Sequence, residues 1–453
     1  MTPRPLTLRA KISYGIGDMG LALPGAMLGL LFAKFLTDTV GLAPSLVAAA
    51  IFIGRTWDWI NDPIQGYITD RIRTPWGRRR PFLLFGAIPL GLSFLGLWWI
   101  PPIESPLWLT VYYAAVFFLY DTFVTVIFVP YVALTPEITS DYDDRTAVTS
   151  FRMFFSLTGS LLGTAIPLLL GGASIPPEKS GQILGIGAGI AIAAVIPLLV
   201  TFFGTTERAT PPAEEHLHLR DILQAMRINR PYLMAIVIYL TTISGFEILN
   251  VTMLYFLQYK LQMPGLADVI IPVMFTSALA TIPVWLWVSR RLDKTRSFAV
   301  ALIFLSAVVM TFAAFDSATP AALLIGLAVL AGVGLAAGQT LPWSILPDTV
   351  EYGEYLSGNR NEGMYYSFMT LSRKIASSIS LPIVLLLLDH SGYVPNVANQ
   401  STQALTTITF LFAGLPVILF GIAILTALRF PLSRARFNRI KSKLDKRQSK
   451  ITP

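Results

Sequence analysis

Two aspartates stand four residues apart in an otherwise apolar stretch of the chain, in the run Gly54-Arg-Thr-Trp-Asp58-Trp-Ile-Asn-Asp62-Pro. Residues four apart share one face of an α-helix, so both carboxylates point in the same direction. Two carboxylates this close repel each other in a low dielectric, and a cation, a proton or a basic side chain must lie between them. Oxygen ligands of this kind suit a hard cation such as Na⁺. The alternative is an ion pair between Asp58 and Arg55, although one arginine cannot easily serve both carboxylates.

Further ionisable residues interrupt other long apolar runs. An ionisable group at membrane depth costs at least ~2.5–3.5 kcal/mol, so such residues usually face the protein interior and serve a function. Lys374 lies near the middle of the run 364–389 and is a natural counter-charge for the aspartate pair when no cation is bound. The alternative is a lysine that reaches the membrane interface, as we expect for Lys34. Three acids are candidates for binding substrate or for pairing with Arg152 or Lys374: Asp18, Asp121 and Glu247.

The composition indicates what kind of protein must position these groups. Of the 453 residues 54% are hydrophobic and only 13% are charged, about half the roughly 25% of a soluble domain. This excludes a soluble enzyme, a disordered chain and a coiled coil, and indicates a polytopic membrane protein. The chain has no cysteine and three histidines, so we expect no thiolate, zinc or haem centre. Despite the net charge of +8 we expect no nucleic-acid partner, no cofactor and no enzymatic activity.

Twelve apolar runs are each long enough to cross a bilayer, which takes roughly 20 mostly apolar residues. Most of the 34 Lys and Arg fall in the segments that lie on the same side as both termini. Because cytoplasmic loops carry an excess of Lys and Arg, both termini are predicted to be cytoplasmic. The runs are 12–36, 45–69, 81–100, 106–135, 147–171, 183–204, 232–259, 267–289, 298–315, 319–346, 364–389 and 402–428.

The two halves of the chain resemble each other. The fourth run ends in VPYVALTPE (129–137) and the tenth in LPWSILPD (341–348), and an acidic loop that contains tyrosine follows each. Duplicated six-span halves with a substrate site between them are typical of a secondary transporter. We therefore predict an N-terminal six-helix bundle over 1–204, a cytoplasmic linker with a short amphipathic helix over 205–231, a second bundle over 232–428 and a basic cytoplasmic tail over 429–453.

Several motifs resemble those of a known family. A small residue four positions before Asp70-Arg71, followed by a basic run, resembles the signature of the major facilitator superfamily. Others resemble the glycoside–pentoside–hexuronide:cation symporters within it, and the likeness extends from about Lys11 to the basic tail. The latter motifs are KISYGIG (11–17), WDWINDP (57–63), WGR (76–78), YGEY (352–355) and GYVPN (392–396).

The resemblance implies a fold and a cation site. The fold is all-α, with twelve transmembrane helices in two pseudo-symmetric six-helix bundles that work by alternating access. In the family the aspartate pair of the second span binds the coupling cation with the help of a threonine on the fourth helix. Those positions match Asp58, Asp62 and Thr125 here, and the lysine near the family's cation site matches Lys374.

The cytoplasmic loops are candidates for gating. Asp70 and Arg71 lie in the loop between the second and third spans, where they are expected to hold one conformation by charge. The alternative is that these charges only set the topology. An arginine between the family's fourth and fifth helices matches Arg145 by spacing, and Arg152 falls one residue off.

The sugar-binding pattern of melibiose permease, a member of the family, is not kept. Its first helix carries Lys-Asp where this chain has Leu21-Ala22. A galactoside needs several polar partners because unpaired hydroxyls are costly to bury, so galactoside recognition is predicted to be lost while cation coupling is kept. The other positions that bind sugar in that relative correspond to Phe128, Val132 and Gln339, with Trp343 one turn further on.

These observations predict a secondary active transporter that couples Na⁺ or H⁺ to the symport of a glycoside or related sugar. The alternative substrate is a lysophospholipid or another amphipathic molecule, since the vertebrate lysophosphatidylcholine symporters have a similar aspartate pair. We expect a monomer in a bacterial inner membrane, with membrane lipid as its surroundings and a small molecule as its substrate.

Overall fold

The described chain is helical. The computed structural model describes residues 6–138, 142–170, 176–207, 228–357, 362–397, 399–433, 435–440 and 442–443. Within these ranges the regular structure consists of helices, apart from one isolated bridge between Thr74 and Gly77. The amphipathic helix predicted in the linker lies outside the described residues.

Fourteen α-helices of eight residues or more carry the architecture of the described ranges. Those of the first half are α1 (Leu8–Lys34), α2 (Pro44–Thr56), α3 (Asp58–Arg71), α4 (Arg80–Trp98), α5 (Pro106–Ala133), α6 (Tyr142–Thr164) and α7 (Ser180–Gly204). Those of the second half are α8 (Arg230–Tyr255), α9 (Ala267–Leu292), α10 (Lys294–Ala313), α11 (Ala321–Ser357), α12 (Glu362–His390), α13 (Thr402–Thr409) and α14 (Leu415–Leu428).

Ten helices of the described chain are long and apolar enough to cross a membrane, and they match ten of the twelve predicted spans. The predicted second span, 45–69, corresponds to α2 and α3, which are 13 and 14 residues long and therefore each too short to cross a membrane alone. The predicted fifth span corresponds to α6, which is long enough but less apolar than the ten helices.

The first helix of each half ends in the same way. α1 continues into a single π-helical turn, Phe35–Thr39, and α8 continues into the π-helical turn Phe256–Lys260. In each case the amide that follows the turn bonds to the carbonyl of its first phenylalanine at 3.0 Å. A residue with positive φ follows at the same offset, Gly41 at 81° and Gln262 at 57°. The backbone therefore repeats the correspondence between the halves that the sequence shows.

The chain forms two compact units. The first comprises Met1–Ala213 and Leu381–Ala404, and in it α1 packs along α6 and α7 while α5 packs against α2 and α4. Glycine allows the close approach of α1 and α6, because a Cβ on Gly163 would come within 2.6 Å of the carbonyl oxygen of Leu23. The second unit comprises Glu214–Ser380 and Leu405–Pro453. There α11 packs against α9 and α10, and α8 packs against α14.

Candidate cation and substrate site

The helix that carries the aspartate pair is irregular beside it. α2 ends at Thr56 and α3 begins at Asp58, but Trp57 between them keeps helical dihedral angles, with φ of −59° and ψ of −32°. The amide of Asn61 bonds to the carbonyl of Trp57 at 2.9 Å, so the helical course continues past this residue. The predicted span over 45–69 is therefore helical with a local irregularity at Trp57. The side chain of Asp58 itself lies outside the described residues.

Asp62 and Thr125 are brought together across α3 and α5. The hydroxyl of Thr125 donates a hydrogen bond to Oδ1 of Asp62 at 3.2 Å. Thr125 is 2% exposed and Asp62 is half-buried. One carboxylate and one hydroxyl oxygen in contact form part of the oxygen-rich ligand set that a hard cation prefers.

A glutamine that the sequence analysis did not single out also links α3 to α5. Gln65 lies one turn after Asp62 and is 3% exposed. Its amide nitrogen donates to the carbonyl of Val126 at 3.4 Å and to the hydroxyl of Thr69 at 3.3 Å. Val126 follows Thr125 directly, so the contact of Gln65 with Val126 lies next to the contact of Asp62 with Thr125. The sequence offered one signal for Gln65, because a glutamine lies inside a predicted span three residues after a predicted cation ligand.

A second polar group lies between α1 and α6. Nε of Arg152 donates to Oδ2 of Asp18 at 2.9 Å, and both side chains are mostly buried. The guanidinium of Arg152 also lies 6.0 Å from the ring centre of Tyr131. Tyr14 and Tyr131 stack at 4.8 Å, and the hydroxyl of each donates to the backbone carbonyl of the other. The tyrosine pair thus fixes the crossing of α1 and α5 beside the ion pair.

Asp121 shares a face of α5 with Thr125, because the two residues are four apart. Its side chain is half-buried. Of the two acids that the sequence proposed as partners of Arg152 in the first unit, Asp18 makes the contact.

The loop that leads into α4 is organised by a residue that the sequence analysis missed. The carboxylate of Glu207 accepts hydrogen bonds from the backbone amides of Arg78 (2.8 Å), Arg79 (3.0 Å) and Arg80 (3.4 Å). Gly77 has φ of 106°, and a Cβ there would come within 2.1 Å of the Glu207 carboxylate. A negative charge on the free amides of a helix N-terminus is stabilising. An acid three residues after a span was a weak signal, since its partner is remote in sequence.

Two of the predicted gating side chains, Asp70 and Arg145, lie outside the described residues. The backbone of Asp70 belongs to α3 and that of Arg145 to α6. Arg71 is the last residue of α3 and is exposed.

The second unit contains a further acidic group. The hydroxyl of Ser377 on α12 donates to Oε1 of Glu247 on α8 at 2.8 Å. Lys374 lies three residues before Ser377 and is half-buried, so it shares the helix face that meets Glu247. The sequence analysis did not single out Ser377, although its spacing of three residues from Lys374 places both on one helix face.

Gln339 and Trp343 occupy different surroundings in the second unit. Gln339 lines a mostly apolar cavity of about 70 Å³ together with Asn250, whose side-chain oxygen is buried and accepts no hydrogen bond from the described residues. Trp343 is 47% exposed and makes an edge contact with Tyr239 at 5.3 Å between ring centres.

The chain belongs to a known transporter family. The family described as MFS/sugar transport protein, of the major facilitator superfamily, matches residues 13–434. This confirms the resemblance to the glycoside–pentoside–hexuronide:cation symporters. The chain is therefore a multi-pass integral membrane transporter and not an enzyme.

The chain is similar to two curated relatives and to one solved structure. It is 30% identical to the putative glycoside/cation symporter YagG of Escherichia coli, over 98% of this chain and 96% of that protein. It is 28% identical to the sodium-dependent lysophosphatidylcholine symporter 1-A of Danio rerio, over 96% of this chain and 87% of that protein. The inward-open structure of the xylose transporter XylE from E. coli matches with a TM-score of 0.63 and 12% identity, over 95% and 98% of the two chains. That likeness confirms the predicted fold.

Proposed function

We propose that the chain is a cation-coupled symporter of a glycoside or related sugar, with Na⁺ as the coupling ion. The proposal rests on the contact between Asp62 and Thr125, which lies in the helix pair where the sequence predicts a cation site. Asp58 supplies the second carboxylate of this site. The names of the two relatives, a glycoside/cation symporter and a sodium-dependent symporter, support it.

The proposed cycle assigns one task to each polar group. Na⁺ bound by Asp58, Asp62 and Thr125 neutralises the aspartate pair, which allows substrate to bind. Lys374 replaces the cation as counter-charge after release. Because the substrate binds only the cation-loaded form, the two fluxes are coupled.

The ion pair of Asp18 and Arg152 is suited to bind a sugar. The carboxylate accepts hydrogen bonds and the guanidinium donates them, and a pair of neighbouring sugar hydroxyls offers both kinds of partner. Asp121 on α5, and Glu247, Gln339 and Trp343 in the second unit, complete the proposed set of substrate contacts. We further propose that Asp70, Arg71 and Arg145 act in gating and that a monomer with cytoplasmic termini lies in a bacterial inner membrane.

A specific observation favours a second substrate class, the lysophospholipids. Phe128 occupies a position where melibiose permease binds sugar, and its side chain is 38% exposed. A Cβ added to Gly25 or Gly29 of α1 would meet no atom within 4 Å. Open, apolar positions of this kind suit an acyl chain better than a sugar, whose hydroxyls need polar partners.

A thermal-shift screen of the purified protein tests the proposal. Glycosides, hexuronides and lysophospholipids are added in NaCl and, separately, in choline chloride. A ligand that binds only the folded state stabilises it by about 2.7 kcal/mol at a hundredfold excess over its Kd. A sugar shift that requires Na⁺ supports the glycoside symporter. A shift with lysophospholipid alone transfers the proposal to the second class, and a protein that responds equally in both salts contradicts Na⁺ coupling.

A further inference from the structure

The end of α1 carries buried charges that the proposed transport site does not use. Nζ of Lys34 lies 2.6 Å from Oδ2 of Asp38, and the two side chains are 1% and 0% exposed. The hydroxyls of Thr37 and Tyr393 each donate to Oδ1 of Asp38 at 2.8 Å. The side-chain amide of Asn396 donates to the backbone carbonyl of Asp38. We call these five residues the helix-end cluster.

The expectation that Lys34 reaches the membrane interface is wrong, because Asp38 one turn later takes its ammonium group. The cluster also joins two distant parts of the chain, since Tyr393 lies 355 residues after Asp38. Tyr393 and Asn396 belong to the turn that follows α12, where Gly392 and Asn396 both adopt positive φ. The first compact unit contains both parts.

The second half of the chain shows that the fold does not require charge at these positions. Lys34 directly precedes the first π-helical turn, and Asp38 is its fourth residue. At the same places in the second turn stand Tyr255 and Tyr259. Their rings stack, with centres 6.5 Å apart and planes inclined by 24°. The same backbone geometry therefore forms with an aromatic pair in place of the ion pair.

The difference matters when water reaches the contact. Removing two charges from water costs about as much as their attraction returns, so a buried ion pair adds little net stability compared with apolar packing. When the contact opens, both charges regain their hydration. Stacked aromatic rings lose stabilisation when water reaches them, and they resist opening. A charged cluster suits a contact that forms and breaks repeatedly, whereas an aromatic pair suits a permanent one.

We propose that the helix-end cluster is a reversible latch. It holds the turn after α12 against the end of α1 in the closed state and separates each time this end of the transporter opens. By the predicted orientation, this end faces the outside of the cell. The proposal does not depend on which cation or substrate is carried.

The absence of cysteine from the sequence allows a direct distance measurement. Ala43→Cys and Val397→Cys place spin labels on exposed positions beside the two parts of the latch. Electron–electron distance measurements in lipid nanodiscs, without substrate, then give a short-distance and a long-distance population. Tyr393→Phe removes a hydrogen bond to a charged acceptor while keeping the ring. We expect the ratio of long to short population to rise about tenfold or more.

A matched control separates the latch from a general loss of packing. Tyr113 is also fully buried, and its hydroxyl donates to the carbonyl of Trp99 at 3.1 Å. Tyr113→Phe therefore removes a buried tyrosine hydrogen bond to a neutral acceptor outside the cluster and is expected to leave the ratio unchanged. Equal shifts in Tyr113→Phe and Tyr393→Phe, or no shift in either, overturn the proposal.

A second variant keeps the test decisive if Tyr393→Phe does not fold. Asn396→Gly removes the second hydrogen bond between the two parts, the one to the backbone carbonyl of Asp38, and glycine tolerates the positive φ of this position. We expect the ratio of long to short population to rise, in the same direction as in Tyr393→Phe. A ratio equal to or below the parent value contradicts the latch.

Discussion

Neutralising Asp62 tests the proposed cation site with the least disturbance of its geometry. In Asp62→Asn the side-chain oxygen still accepts the hydroxyl of Thr125, and the volume is almost unchanged. Asp62 is half-buried, so an effective dielectric constant near 20 applies. At that value the loss of one charge about 4 Å from a cation removes about 4 kcal/mol. Because ~1.4 kcal/mol is tenfold in affinity, we expect the Kd for Na⁺ to rise roughly a thousandfold.

Thermal unfolding of the purified protein measures this change without a known substrate. NaCl, at constant ionic strength with choline chloride, is expected to raise the unfolding temperature of the parent protein and not that of Asp62→Asn. Glu104→Gln removes a carboxylate from an exposed position and serves as the control for net charge. An Asp62→Asn protein that responds to the same Na⁺ concentrations as the parent would show that Asp62 is not a ligand.

Three further substitutions follow from the contacts described. Glu207→Ala removes the cap of α4 and is expected to lower stability by about 1–2 kcal/mol, measured by SDS-induced unfolding; an unchanged midpoint contradicts the cap. Arg152→Lys keeps the charge but loses the planar donor set that meets Asp18; we expect it to abolish the thermal shift with substrate and to spare the shift with Na⁺. Ser377→Ala removes the donor to Glu247 and is expected to weaken substrate affinity about fivefold, equivalent to ~1 kcal/mol, in the same titration. Full substrate affinity in either of the last two variants removes that residue from the site.

The sequence was sufficient for features that depend on local pattern. Apolar length predicted most helix positions to within a few residues, as for the run 106–135 and the helix Pro106–Ala133. Helical spacing predicts that Asp58 and Asp62 share one face, and both residues belong to α3. The resemblance matched Thr125 to the cation site, and the structure brings its hydroxyl to Asp62.

The features that were missed depend on partners remote in sequence. The local irregularity at Trp57 involves no proline or glycine at that position that would predict it. The anchoring of Arg78 by Glu207 spans 129 residues, and hydrophobic periodicity carries no information about such pairs. Lys34 was misjudged because interface-seeking lysines and paired lysines look alike until Asp38 and Tyr393 are seen around them.

The burial of Lys34 and Asp38 has a consequence for temperature. Hydration of charged groups becomes less favourable on warming, so the penalty for burying an ion pair falls. Warming therefore stabilises the closed form of the helix-end cluster relative to its open form. The stability of the aromatic pair of Tyr255 and Tyr259 changes less with temperature, as it does for apolar contacts. The two halves of the transporter thus differ in their thermal response at equivalent helix ends, and cooling selectively eases the opening of the first.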